Sequence, residues 1–266
     1  MAELKVNLEE GNGLYMAHVV DFLGCFAKAE TRSEVIDALL KDVKLYSEWL
    51  LTKEAGKFYK KQAKSFLAGI NELVISEEFT GVEKLGEQKG TSSLFSSETG
   101  DLPEEEFDNY IEIIKCLPED LLRIIFQYSF EEREKVIIED KPTINHILTE
   151  LYCTELFYIS VFGEEIESKF LESINLTKDE LESLTLLERV VKVKQGVIAI
   201  LRSYYQQPGN TIFTSSETSE LPDEQWTAKK VIRKFLEHER DCINRIRELV
   251  NTIEINNKAT SESSEK

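Results

Sequence analysis

A chain of 266 residues with 41% hydrophobic and 31% charged side chains is long enough for two domains and well able to bury a core. Acidic residues outnumber basic ones by 50 to 32, and the resulting formal charge of -18 repels phosphate backbones, which disfavours nucleic acid as a partner. No apolar run approaches the roughly 20 residues that span a bilayer, which argues against a membrane.

The first thirty residues read as β-structure. Leu4, Val6 and Leu8 alternate with polar neighbours, the period of a half-buried strand. Glu10-Gly11-Asn12-Gly13 supplies turn chemistry, and residues 14–20 and 25–29 follow as two further strands. Thr31 and Glu34 have the spacing of a capping box, opening a helix with Val35, Leu39, Val43, Tyr46 and Leu50 on one face. Gly56 is expected to end it. Lys53, Lys57, Lys60, Lys61 and Lys64, interleaved with Phe58 and Tyr59, read as a solvated helix and loop surface. The apolar run 70–75 then returns as a strand, completing a β-β-β-α-β module over residues 1–79.

Residues 80–103 are rich in Gly, Ser, Thr and Glu and read as a linker or irregular surface segment. Everything beyond looks helical. The spacing predicts helices over 104–128, with Pro118 interrupting, and over 142–162, closed by Gly163. A third runs from the N-cap Thr177 to about 205, stopped by Pro208-Gly209. The fourth, 226–253, completes an all-α four-helix bundle over 104–255. The polar tail 256–266 has too few apolar groups to stay ordered. Residues 96–107 are echoed by 215–226, each copy preceding a helix with a Pro near its start, acids in the first turn and an aromatic anchor. This is helix-entry punctuation; a solenoid needs several units.

Within the last helix, Val231, Phe235, Ile246, Leu249 and Ile253 trace one face, and His238 and Cys242 lie on the same stripe, one turn apart. Cys25, Cys116, Cys153 and Cys242 form no Cys-x-x-Cys pair, and no signal-peptide apolar stretch precedes them. Reduced cysteines in a cytoplasmic protein are expected.

Tyr15, Ala17, Val19, Asp21-Phe22 and Gly24-Cys25-Phe26-Ala27, followed by Thr31 and Glu34, resemble the HicB-like domain, with Val20 in place of the usual proline. The resemblance covers about eighty residues. It implies a partial ribonuclease-H-like fold that, in antitoxins, neutralises an RNA-cleaving toxin; the separate DNA-binding domain of such antitoxins has no counterpart here. The stretches 147–158, 226–231 and 236–242 resemble the DinB-like superfamily of four-helix bundles. Many of its members bind a divalent metal through one histidine on the second helix and a His-x-x-x-His pair on the fourth. By that resemblance His238 matches the first histidine of the pair, Cys242 replaces the second, and Glu150 stands where the second-helix histidine is expected.

Glu150, His238 and Cys242 are legitimate zinc ligands by residue type, and three protein ligands leave a position for water or substrate. They are the candidate site for one divalent metal, zinc or nickel. The same three also read as a degenerate remnant, with Cys242 as a small core residue. Glu155 is expected to be buried against a bundle arginine such as Arg189 or Arg202; His146 to take a surface or capping role near a helix start; and His18 to sit in a strand without a visible partner. No phosphate loop, nucleophile elbow or His-Glu-x-x-His motif occurs. Three functions follow as expectations. The first is a non-catalytic binding or regulatory protein with a degenerate metal site. The others are a divalent-metal-dependent hydrolase or thiol transferase, and an antitoxin-type partner of a basic toxin. A homodimer or another protein partner suits all three.

Overall fold

The computed structural model describes residues 2–53, 57–86, 92–205, 212–214 and 223–264, with only the backbone described for 57, 58, 205, 213 and 258–264. Gly56, Pro208-Gly209 and most of the second copy of the echoed segment lie outside the described residues.

Three strands open the chain: β1 (Ala2–Gly11), β2 (Leu14–Val19) and β3 (Phe26–Ala29). Asn12 and Gly13 both take positive φ, 54° and 72°, which gives the two-residue turn whose twist matches a β1–β2 hairpin. Two helices follow, α1 (Arg32–Leu51) and α2 (Lys57–Ala68), before β4 (Ile70–Thr80). β4 returns parallel to β1, so the mixed sheet has the order β3-β2-β1-β4. The module is therefore β-β-β-α-α-β. Tyr59, Ala63 and Phe66 lie on one buried face of α2, at helical spacing, and dock that helix into the core where a solvated surface was expected.

Thr31 caps α1 by accepting from the Glu34 N–H, and α1 buries the predicted stripe Val35, Leu39, Val43, Tyr46 and Leu50. That covers one face of β1, through Leu4, Val6 and Leu8. The opposite face is buried too: Asn7 and Glu9 are as inaccessible as the leucines. β1 thus keeps the expected half-buried alternation over its first half, where Glu3 and Lys5 are exposed, and is enclosed on both faces from Val6 to Glu9.

The second enclosing layer is the helical region. After a 3-10 turn at Ser96–Glu98 come α3 (Glu104–Ile125), α4 (Phe130–Arg133), α5 (Ile144–Ser160), α6 (Ile166–Ile174), α7 (Lys178–Ser183) and α8 (Leu186–Tyr205). The short strands β5 (Phe213–Thr214) and β6 (Gln225–Trp226) pair with each other and lead into α9 (Ala228–Ser264). Of the four long helices, α5 packs against α8 and α9, and α3 against α9 and α8. Among the described residues no helix is long and apolar enough to cross a membrane.

Several expectations change. Pro118 does not interrupt α3, because burial of Ile114, Leu117, Leu121 and Ile125 on the same helix offsets the roughly 3 kcal/mol that an interior proline costs. The single helix expected over 177–205 is two. Leu184 is extended, and Thr185 with Glu188 forms a second capping box that restarts the chain as α8. The segment expected as a linker over 80–103 buries Leu85, Ser92, Phe95, Glu98 and Leu102. Buried side chains of the sheet module and the helices form one continuous core, so the described residues 80–86 and 92–103 are a structural seam. α9 also continues to Ser264, beyond the point where the chain was expected to lose order.

Candidate metal centre

α9 is the element that everything else surrounds. From Ala228 to Ile243 it is buried almost all round, packed by α5, α3 and α8 and met on the sheet side by His18 and by Gly24 of the β2–β3 connection. Its predicted apolar stripe packs into the bundle, and Cys242 is fully buried on it.

Glu150 from α5 meets His238 and Cys242 from α9, and one ligand atom from each lies within 4.8 Å of the other two. Cys242 Sγ is 3.6 Å from His238 Nε2. With Zn–S near 2.3 Å and Zn–N of about 2.0–2.1 Å, a tetrahedral angle separates sulfur from nitrogen by about 3.6 Å. Burial lowers the His238 pKa to about 4, so near neutral pH the ring is uncharged and has a lone pair to give. Burial, aided by the Glu150 charge, drives the Cys242 thiol well above its usual pKa, so it holds its proton.

Glu150 is already engaged. Arg245, one turn beyond Cys242 on α9, donates two hydrogen bonds to it, Nη1 to Oε1 at 2.7 Å and Nη2 to Oε2 at 2.9 Å. This fork is the strongest geometry available to an arginine and a carboxylate. The guanidinium supplies the positive charge that a metal would bring to Glu150. Two of the three donors thus fit zinc in spacing, while the third has both oxygens occupied by an internal cation. A metal held by this donor set would compete with Arg245 for Glu150.

The site opens into a cleft of about 170 Å³ shared by the two modules. Met16, Phe26 and Lys28 of the β2–β3 hairpin form one wall, with Glu150, His238 and Arg245 opposite. Lys28 pairs with Asp241 across it at 3.0 Å, and the Tyr158 ring stands edge-on to His238 at 6.2 Å between centroids.

Of the remaining candidates, His18 departs most from expectation. His18 has partners on both nitrogens: Nδ1 lies 2.7 Å from Glu237 Oε1 and Nε2 lies 2.8 Å from Glu9 Oε2. Two carboxylates facing two ring nitrogens require two N–H donors, hence an imidazolium. Burial pulls the His18 pKa down, but the attraction and hydrogen bonds of Glu237 and Glu9 outweigh it and raise it. Burial likewise pushes the Glu9 and Glu237 carboxyls up, and His18 and Arg233 more than reverse it. Arg233 donates from Nε to Glu98 Oε1 at 2.5 Å and from Nη2 to the Ser93 carbonyl at 3.2 Å. This network ties β1, β2, the 92–98 segment and α9 together.

Glu155 is buried, as expected, but its partner is Lys194 of α8 rather than Arg189 or Arg202. Arg202 instead pairs with Asp108 at 3.0 Å, and Arg189 donates to backbone carbonyls. Lys194 also lies 2.9 Å from Glu239 Oε2, without a hydrogen bond's alignment. His146 is exposed at the start of α5, its backbone N–H held by the Thr143 hydroxyl at 3.1 Å. Sequence reasoning missed Arg245, Arg233, Glu237 and Glu239. The available signals were the i,i+4 pair Arg233–Glu237 and the i,i+3 spacing of Arg245 from Cys242. A reading of α9 confined to its one apolar stripe left them out.

The chain matches no family model and no curated protein. Among solved structures it is similar to YfiT from Bacillus subtilis, described as a probable metal-dependent hydrolase with an unusual four-helix bundle topology. The two share 14% identity with a TM-score of 0.42, over 62% of this chain and 94% of that one. A likeness this loose transfers neither residues nor chemistry, and the helix arrangement stands on the packing of this chain's own four long helices.

Proposed function

We propose that this chain is a non-catalytic binding or regulatory protein whose bundle site has exchanged a metal for an internal arginine. The bidentate Arg245–Glu150 pair carries the reading: a cation built into α9 neutralises the carboxylate that would otherwise draw a divalent ion. The reading takes the sheet module as HicB-like and the bundle as DinB-like on the motifs quoted above. Four free cysteines suit a reducing, cytoplasmic setting.

One observation favours a second reading, a divalent-metal-dependent hydrolase. The 3.6 Å separation of Cys242 Sγ and His238 Nε2 is that of a zinc tetrahedron. Binding would require Arg245 to release Glu150 and Cys242 to give up its proton.

Metal content of the full chain, purified without a histidine tag, decides between them. The first reading expects substoichiometric zinc and nickel, and zinc uptake that tightens by about tenfold or more in Arg245→Ala, where Glu150 is freed. Stoichiometric metal in the unaltered protein, lost on His238→Ala, would establish the second reading and remove the first.

A further inference from the structure

A much larger cavity lies elsewhere in the helical region. α6 and α7 stand off from α5 and enclose about 740 Å³, within the range of roughly 300–1,000 Å³ typical of small-molecule sites. It shares no lining residue with the Glu150 cleft. Its walls are mainly apolar: Leu156 and Phe157 of α5, Ile166, Phe170 and Leu171 of α6, and Leu181 of α7.

The charges at its edge are unevenly satisfied. Lys178 pairs with Glu167 at 3.0 Å, and the Glu182 carboxylate stands at the same edge. Arg189 is different. Its Nε donates to the Leu181 carbonyl at 3.2 Å, its Nη2 to the carbonyls of Glu182 and Leu184, and its Nη1 to Tyr152 Oη at 3.1 Å. Among the described residues it makes no ion pair. A guanidinium has five N–H groups, and these bonds use four, leaving one on Nη1 beside Tyr152. The Tyr152 hydroxyl accepts from Arg189. The guanidinium and the phenol stand at the edge of the apolar cavity, where they also line a neighbouring polar cleft of about 640 Å³.

We propose that this cavity binds an amphiphilic carboxylate of the fatty-acid type, its alkyl tail along Leu156, Phe157, Phe170 and Leu171 and its head on Arg189 and Tyr152. The ligand's single charge answers the single unpaired cation, and the tail covers apolar surface that would otherwise face water. The proposal does not rest on the reading of the Glu150 site, and no metal enters its test.

Dodecanoate, kept below its micelle-forming concentration, is titrated into the full chain by calorimetry, with dodecyltrimethylammonium and acetate as probes of tail and head alone. Cys153, exposed at the cavity wall, supplies a second readout through its rate of alkylation by a maleimide. Dodecanoate is expected to bind one-to-one and to slow alkylation of Cys153, with the trimethylammonium probe weaker by about tenfold or more and acetate silent. Arg189→Gln should weaken dodecanoate by about tenfold, the scale of one hydrogen bond to a charged group. Because that change also releases the carbonyls of α7, Leu156→Trp is the companion variant. It fills the chamber while leaving every Arg189 bond in place, and should abolish binding in a protein of unchanged near-ultraviolet circular dichroism. Absence of saturable dodecanoate binding, equal affinity for the two head groups, or full binding by Leu156→Trp would each overturn the proposal.

Discussion

Two buried charge clusters flank α9, and they are built in opposite ways. On the sheet side, Glu9, His18, Glu237, Arg233 and Glu98 alternate in sign, and each ionised group has a hydrogen-bonding partner of opposite charge. On the bundle side, a single Lys194 serves two carboxylates. Among the described residues, Glu155 Oε2 and both Glu239 oxygens lack a well-aligned hydrogen bond, although Lys194 lies 2.9 Å from Glu239. Full ionisation there would leave a net negative charge in a closed core, and burial accordingly raises the Glu239 pKa to about 8 despite Lys194. Burial alone therefore does not fix what a charge does for a fold. A satisfied network locks one arrangement of the modules, whereas an under-satisfied one makes stability depend on a proton.

The sharpest way to break the contrast is Arg233→Ala. It leaves Glu98, Glu237 and Glu9 buried with one cation fewer, at an expected cost of about 3–5 kcal/mol. Urea denaturation of the full chain measures it, and a loss below about 1 kcal/mol would mean that the sheet-side network is not a lock.

Glu239→Gln should act in the other direction. A carboxyl whose folded pKa is raised from 4.5 to about 8 contributes most below 4.5, and that contribution is lost as pH rises through 8. Glutamine carries no such charge, so near pH 9 the variant should be more stable than the parent by about 2 kcal/mol, with little difference near pH 5. Equal stability of the two proteins at alkaline pH would refute it.

The Glu239→Gln background then isolates His18. Its folded pKa lies above 6.5, so its contribution is complete below 6.5 and declines as pH rises through the folded value. Glu9 and Glu237 have folded values below 4.5, so theirs is complete above 4.5 and declines as pH falls through those values. The unfolding free energy should rise from about pH 4 to 6.5 as His238, whose folded value is about 4, loses its proton in the unfolded chain, in the protein with His18 and in His18→Gln alike; a fall of about 1–2 kcal/mol above pH 6.5 should appear only where His18 is present.

Arg245→Ala should have the smallest effect on stability. The pair with Glu150 is partly open to solvent, and its loss should cost at most about 1 kcal/mol in the same urea experiment. A cost of several kcal/mol would place Arg245 with the structural lock and weaken the view that it merely stands in for a metal.

Much of the fold was legible because local chemistry is read directly. The Asn12-Gly13 turn, the Thr31 cap and the α1 stripe each depend on residues within a few positions of one another. The meeting of Glu150, His238 and Cys242 was legible through the DinB-like motif and the shared stripe on α9. Arg245 was not, since an arginine on a helix reads as solvent-facing until its partner 95 residues away is placed. His18 hid for the same reason, with Glu237 lying 219 residues further on. The seam at 92–98 failed by composition: serines and glutamates look like a linker unless a buried arginine is known to be waiting for them.

By itself, then, the sequence determined the hairpin, the caps, the long helices and the inward aim of His238 and Cys242, all consequences of periodicity and short-range hydrogen bonding. Only the tertiary structure decided that α9 is enclosed on both sides and which of its charges are paired, because burial of a charge depends on what arrives from distant chain. It also decided that Glu150 is held by an arginine.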